Sequence, residues 1–113
     1  MYRFLGIVSL SEEPAVLRCA GDEDLTTRWR RRAALSRALR VRSDLLVDLA
    51  GLTFADTSLM VDLAMVARRL RASGRCLRLS GAQPQVWRVV EAVGLHRQPG
   101  VVVVGSSPSP ALA

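Results

Sequence analysis

The sequence contains no lysine, one histidine and two cysteines, and only 4% of its 113 residues are aromatic. One histidine and two separated cysteines cannot form a standard zinc site, so we expect no bound metal and no cofactor. Cys19 and Cys76 lack C-x-x-C spacing, which favours buried thiols in a reducing compartment. Because aromatic residues are scarce, the core must be mainly aliphatic, with Trp29 and Trp87 contributing from predicted helices.

Long hydrophobic runs are also missing. No run reaches the length of about eighteen apolar residues that a membrane-spanning helix requires. The N-terminal residues lack the apolar region and small-residue cleavage site of a secretory signal. We therefore expect a soluble cytoplasmic protein without membrane insertion.

The apolar pattern predicts two strands followed by alternating helices and strands. A hairpin is expected at residues 4–10 and 15–20, and residues 45–49 form a solid apolar run typical of a strand buried on both faces. The remaining predicted elements are helices at 25–40, 57–72 and 84–93 and strands at 76–80 and 101–104. This order predicts an α/β domain at residues 1–105, with helices on a mixed sheet of four to five strands. Residues 106–113 lack an apolar pattern and are predicted to form a flexible tail.

Arginine is concentrated in the first predicted helix. The net charge of the chain is +6, and this helix carries Arg28, Arg30, Arg31, Arg32, Arg37 and Arg40. The pattern fits a solvated basic face whose side-chain stems cover apolar surface, or a docking surface for an acidic protein. Because no aromatic residues are interleaved with the arginines and no nucleic-acid motif is present, we expect no direct binding of nucleic acid.

The second predicted helix separates an apolar stripe from a more polar one. Helical spacing predicts a buried stripe of Leu59, Leu63, Val66 and Leu70. One residue earlier, the same spacing gives a neighbouring stripe of Ser58, Asp62, Met65 and Arg69. Ser58 is therefore expected in the first helical turn, with its hydroxyl reachable from solvent.

Three local patterns stand out: residues 46–58 lead from a predicted strand into Asp-Thr-Ser, residues 20–24 read Ala-Gly-Asp-Glu-Asp, and Leu79-Ser-Gly-Ala is followed by Val93-Gly-Leu95. Together with the order of elements, these patterns resemble the STAS domain, the fold of bacterial anti-sigma factor antagonists. Residues 46–58 look like the strand and Asp-Ser-Ser-Gly phosphorylation loop of that family. Residues 20–24 look like its Gly-x-x-Asp turn, and residues 79–82 with 93–95 match its later strand and helix end. The resemblance covers roughly residues 4–104.

The resemblance implies a binding switch. In that family, the unphosphorylated antagonist binds an anti-sigma factor with a histidine-kinase-like ATPase domain, which frees the sigma factor for transcription. The anti-sigma factor then phosphorylates the loop serine and releases the antagonist. Carried onto this chain, the phosphoacceptor is Ser58, with Thr57 as a second candidate, and Asp56 and Asp24 are the neighbouring acids.

The expected partner-binding surface contains these four residues, together with Leu59 or Met60 if either is exposed. Leu59 stands where the family usually has glycine, a difference that leaves open a second function. The alternative is a STAS scaffold that is not phosphorylated, or an accessory subunit of a transporter or signalling assembly. On a third interpretation, residues 56–58 only cap the helix. The sequence does not determine the oligomeric state.

An enzyme is not expected. Ser58, Asp56 and His96 could be written as a triad, but no G-x-S-x-G elbow is present. His96 follows a predicted helix end and is interpreted as a surface residue. A phosphoacceptor receiver domain would fit the length, but that family needs a lysine beside its acidic site.

Overall fold

The computed structural model describes residues 5–105; residue 4, the first of the predicted first strand, and the predicted tail at 106–113 lie outside this range. The strands are β1 (Ile7–Glu12), β2 (Ala15–Glu23), β3 (Leu45–Ala55), β4 (Leu77–Ser80) and β5 (Val101–Val103). The helices are α1 (Arg28–Ala38), α2 (Thr57–Ala72) and α3 (Pro84–Val93). Short 3₁₀ turns at Leu25–Thr27 and Leu95–Arg97 precede α1 and follow α3.

The five strands form one mixed sheet in the order β1-β2-β3-β4-β5. β1 and β2 are antiparallel because only a tight turn joins them, whereas the other neighbouring pairs are parallel and are connected through helices. Within the described residues, α1 contacts α2 and α2 contacts α3, so the helices form a continuous layer. The α/β class and the mixed sheet predicted from the sequence are confirmed.

The core lies on one face of the sheet. Along β3, the side chains of Leu45, Val47 and Leu49 are fully buried, while those of Leu46 and Asp48 between them are only half-buried. The prediction that this strand is buried on both faces is therefore wrong. Along this apolar run, fully buried and half-buried side chains alternate, as expected for a sheet that helices cover on one face only.

The caps of α2 and α3 explain why their predicted limits are correct. The Asp56 carboxylate accepts a hydrogen bond from the N–H of Ser58 and starts α2, as N-cap residues commonly do. Gly94 ends α3 in the left-handed conformation, with φ of 81°, which glycine adopts without a steric penalty. Both signals are local in the chain.

β2 continues beyond its predicted end. The predicted strand ends at residue 20, but pairing with β3 extends β2 to Glu23, with Asp22 opposite Phe54 and Glu23 opposite Ala55. The pairing tolerates the irregular register at Gly21 and Asp22, because a neighbouring strand overrides local turn propensity. Asp24 then caps the 3₁₀ turn that leads into α1, so α1 begins later than predicted.

The two tryptophans have different environments. Trp87 is buried, as predicted, but the Trp29 side chain is 70% exposed, so the prediction that it contributes to the core is wrong. Cys19 is buried in the core, and burial raises the pKa of its thiol to about 12. Among residues 5–105, no helix is long and apolar enough to cross a membrane.

Candidate functional site

The carboxyl ends of β2 and β3 bring two predicted site segments together. The Asp56 N–H donates to the carbonyl oxygen of Glu23 at 3.1 Å. The N–H of Leu25, next to Asp24, donates to Oδ2 of Asp56 at 3.0 Å. Because adjacent parallel strands end at the same edge of the sheet, the Asp24 turn and the loop that leads into α2 are neighbours.

Asp56 holds the Ser58 hydroxyl in place. Oδ1 of Asp56 accepts from the backbone N–H of Ser58 at 2.9 Å and from its Oγ at 2.5 Å. Ser58 is partly buried, and Thr57 beside it is exposed. The serine therefore lies in the first turn of α2, near the positive end of the helix dipole, and its hydroxyl hydrogen points to a carboxylate.

A buried arginine approaches the same hydroxyl from the protein side. Nη2 of Arg31 donates to Oγ of Ser58 at 3.2 Å, and the Arg31 side chain is only 1% exposed. Its guanidinium also pairs with Oε1 of Glu23 at 3.2 Å and with Oδ2 of Asp62 at 2.8 Å. A further bond reaches the carbonyl oxygen of Asp24 at 3.0 Å. Arg31 thus ties α1, the end of β2 and the first two turns of α2 to one another.

The electrostatics of this network depend on burial. Glu23 is 1% exposed and Asp62 is 6% exposed, so both carboxylates need a cation. Asp62 has a second cationic partner besides Arg31, because Nη2 of Arg28 lies 2.7 Å from Oδ1 of Asp62. The pKa of Glu23 is nevertheless raised above its usual value, because desolvation by burial outweighs the stabilising contacts of Arg31.

This network corrects two interpretations of the sequence. Arg31 does not belong to a solvated basic face, and Asp62 is buried although its neighbours on the predicted polar stripe, Met65 and Arg69, are exposed. The signal for Arg31 was its helical spacing from Ala34 and Ala38, which are the other buried residues of α1. That spacing places Arg31 on the side of α1 that faces the core. It does not identify the two acidic partners, because Glu23 belongs to β2 and Asp62 belongs to α2.

Leu59 and Met60 do not lie on the surface. Both side chains are 0% exposed and form part of the core, so neither can contact a partner in this conformation and the expectation for these two residues is corrected. Successive positions of α2 face inward here because both the sheet and the neighbouring helices cover the first turns. Exposed apolar side chains are instead found at Leu25, whose N–H donates to Asp56, and at Phe54 and Val61, four residues before and three after Ser58; they are 63%, 50% and 48% exposed.

His96 is separate from this site. Its ring packs edge-on against Trp87, with the ring centroids 5.5 Å apart, and the residue is half-buried rather than on the surface. Within residues 5–105, no hydrogen bond joins His96 to Ser58 or Asp56, so the structure does not assemble a triad. The same residues contain no cluster of three or more histidine, cysteine or acidic side chains that could hold a metal ion.

Comparisons with solved structures show the same fold in proteins of distant sequence. The anti-sigma factor antagonist SpoIIAA, in its unphosphorylated form, matches with a TM-score of 0.62 and 19% identity, over 96% of this chain and 94% of that one. A Thermotoga maritima protein described as an anti-sigma factor antagonist by inference also matches. Its TM-score is 0.57 at 13% identity, over 94% of this chain and 90% of that one.

The sequence was also compared with protein families and with individual curated proteins. No curated protein matches this sequence. The family described as "Mlab, STAS domain" matches residues 7–105, which include all five strands and all three helices. The chain therefore belongs to the STAS domain family.

Proposed function

We propose that this protein is an anti-sigma factor antagonist that is regulated by phosphorylation of Ser58. It binds an anti-sigma factor with a histidine-kinase-like ATPase domain and so controls transcription that depends on a sigma factor. The observation that carries the proposal is the placement of the Ser58 hydroxyl at the N-terminus of α2, with its hydrogen donated to Asp56. The fold shared with SpoIIAA supports the same reading.

The proposed reaction is an in-line phosphoryl transfer. Oγ of Ser58 attacks the γ-phosphorus of ATP held by the partner, the bond between that phosphorus and the β–γ bridging oxygen breaks, and ADP leaves. Asp56 accepts the hydroxyl proton, because its Oδ1 lies 2.5 Å from Oγ, within reach for a general base. The partner supplies the nucleotide and the groups that stabilise it.

The charge balance around Ser58 explains how phosphorylation would cause release. A phosphoserine adds a charge of about −1.5 to −2. Nη2 of Arg31 lies 3.2 Å from Oγ, but the guanidinium is already shared between Glu23 and Asp62. The added charge is therefore not fully neutralised inside the domain. It repels an acidic partner group placed over it, and covering it with an apolar partner surface costs desolvation energy.

The proposed docking surface consists of Asp24, Asp56, Thr57 and Ser58, surrounded by exposed apolar side chains. Leu25, Phe54 and Val61 supply the apolar area in place of the buried Leu59 and Met60. Exposed apolar residues beside a polar centre are a common composition for a protein-binding surface. Substitution of Phe54 by serine should therefore weaken partner binding without altering the Ser58 contacts.

The decisive experiment uses candidate ATPase-type anti-sigma factors from the same genome, incubated with this chain and ATP. Intact-mass analysis should show one added phosphoryl group on the wild type and on Thr57→Ala, and none on Ser58→Ala. Ser58→Asp should lose affinity for the same partner, whereas Ser58→Ala should retain it. The proposal fails if no candidate binds the chain, or if phosphate appears on a residue other than Ser58.

One observation favours a second candidate, a STAS scaffold or an accessory subunit of a transporter or signalling assembly. The Ser58 hydroxyl already has two partners inside the domain, Asp56 and Arg31, so it has a structural role without any phosphate. This candidate predicts a stable complex with an ATPase that transfers no phosphate to the chain.

A further inference from the structure

An open groove separates α1 from α2 on the side of the helices that faces away from the sheet. It has a volume of about 370 Å³, within the range of about 300–1,000 Å³ typical of binding clefts. Its floor is apolar and consists of Leu35 from α1 and Leu39 directly after it, with Met65 and Val66 from α2. Neither the fold nor the proposed switch at Ser58 requires this groove to stay open.

The floor is only partly covered by the protein itself. Val66 is 3% exposed and belongs to the core, but Met65 is 49% exposed, and Leu35 and Leu39 are half-buried. Leu39 is the C-cap of α1 and lies four residues after Leu35, so both face the groove from the same side. Two helices that pack against each other have therefore left an apolar strip between them that a third element could cover.

Arginines lie along both sides of this strip. Arg28 and Arg32 come from α1 and Arg69 comes from α2. Arg28 pairs with Asp62, the one acidic residue of the groove, at 2.7 Å. Arg32 and Arg69 are exposed, and neither has an ion pair with any residue in the range 5–105. Among the described residues, one cation without an ion pair thus flanks the apolar floor on each side.

We propose that this groove binds an acidic amphipathic helix of a partner protein. The apolar face of such a helix would cover the floor, and one acidic residue on each edge would meet Arg32 and Arg69. Docking of an amphipathic helix in a groove is a common recognition mode. The charge complementarity selects an acidic helix over a basic one and steers its approach.

The shape of the groove argues against the other partners that arginines can attract. A membrane meets protruding apolar side chains, but here the apolar residues form the floor of a concavity between two helices. Single-stranded nucleic acid is bound through aromatic platforms, and the groove lining contains no aromatic side chain. A helix can enter the concavity, cover the apolar floor with its apolar face and pair its acidic residues with the arginines on both edges.

The test uses a fluorescent synthetic peptide of about 18 residues as the probe, long enough to form a helix when bound. Leucines lie on one face, and glutamates lie on both edges. Fluorescence anisotropy should show saturable binding to the full chain that weakens with added salt. A peptide of the same composition with its leucines scattered around the helix, and one with lysine in place of glutamate, should each bind at least about tenfold more weakly.

Charge reversal on the protein locates the binding. Arg32→Glu combined with Arg69→Glu should weaken the acidic peptide about tenfold. The matched control, Arg42→Glu with Arg88→Glu, makes the same change at exposed arginines outside the groove and should leave binding unchanged. Thermal unfolding followed by circular dichroism checks that both double variants fold like the wild type. Met65→Gln makes an exposed part of the floor polar without changing the charge, so peptide binding to this variant tests the apolar contact separately from the arginines.

The result that overturns the proposal is equal loss of binding in the two double variants, or binding that does not depend on where the leucines lie. Binding of the wild type to phosphatidylserine vesicles with no saturable binding of the peptide would also overturn it, in favour of a membrane surface. The proposal does not rest on the switch at Ser58. Arg32 and Arg69 make no contact with Ser58, so failure here leaves phosphorylation by an anti-sigma factor untouched.

Discussion

Arg31→Met tests whether the buried arginine holds the site together. The substitution keeps a long apolar stem but removes the guanidinium that contacts Glu23, Asp62 and Ser58. Glu23 is affected most, because it is 1% exposed and the structure of residues 5–105 gives its side chain no second cation within ion-pair distance. Asp62 keeps Arg28 at 2.7 Å.

The magnitude follows from leaving a buried carboxylate without its cation. Removal of one partner from a buried ion pair costs about 3–5 kcal/mol. A domain of this size is stable by about 5–15 kcal/mol, so the loss is a large part of its free energy of unfolding. The loss should also depend on pH. Without Arg31, the pKa of Glu23 rises further, and the native state then binds more protons than the unfolded state. The destabilisation relative to the wild type therefore grows as the pH rises through the wild-type folded-state pKa of Glu23, by at most about 1.4 kcal/mol per pH unit.

The assay is urea unfolding followed by circular dichroism at several pH values. Arg30→Met is the matched control, since Arg30 is an exposed neighbour on the same helix, and it should change stability by less than about 0.5 kcal/mol. The double variant Arg31→Met with Glu23→Gln should recover part of the loss, because it removes the unpaired charge. The reasoning is refuted if Arg31→Met is as stable as Arg30→Met at neutral pH, or if the loss shrinks as the pH rises.

Three further predictions concern the same elements. Burial raises the pKa of Glu23 above its ordinary value of 4.5. The free energy of unfolding of the wild type, compared with that of Glu23→Gln, should therefore be greatest below pH 4.5 and should fall as the pH rises through the folded-state pKa of Glu23. Urea titrations at several pH values check this. The thiol of Cys19, with its pKa raised to about 12, should resist iodoacetamide at about pH 8 in the folded protein, whereas the half-buried Cys76 should react first; peptide mapping after labelling with and without urea checks this order. Asp56→Ala removes the cap of α2 and should cost about 1–2 kcal/mol in thermal unfolding, while Thr57→Ala, at an exposed position, should cost less than about 0.5 kcal/mol.

Much of the fold could be predicted because the signals for α2 and α3 are local. The buried stripe of α2 has a helical period, Asp56 precedes its first turn, and Gly94 follows the last turn of α3. A backbone hydrogen bond of a helix joins residues four apart, so a short window of sequence contains the information. The α/β class follows in turn, because the strands between these helices must be parallel and share one sheet.

The position of Ser58 in the first turn of α2 was predicted on the same local grounds, but its surroundings were not. Leu59 and Met60 follow it in the chain, and both are buried in the core instead of being available to a partner. Helical spacing gives the relative directions of side chains, and it does not give how wide an arc of the helix its neighbours cover.

Only the tertiary structure decided which arginine of α1 is buried and how far β2 extends. Arg31 and Arg32 are adjacent in the chain and chemically identical, yet one is 1% exposed between two carboxylates and the other lies on the rim of an open groove. The sequence determined that α1 would be basic and α2 amphipathic, since charge and period are properties of consecutive residues. Which arginine is buried depends on Glu23 and Asp62, 8 and 31 residues away along the chain, and only the packing of β2, α1 and α2 brings those carboxylates within reach of its guanidinium.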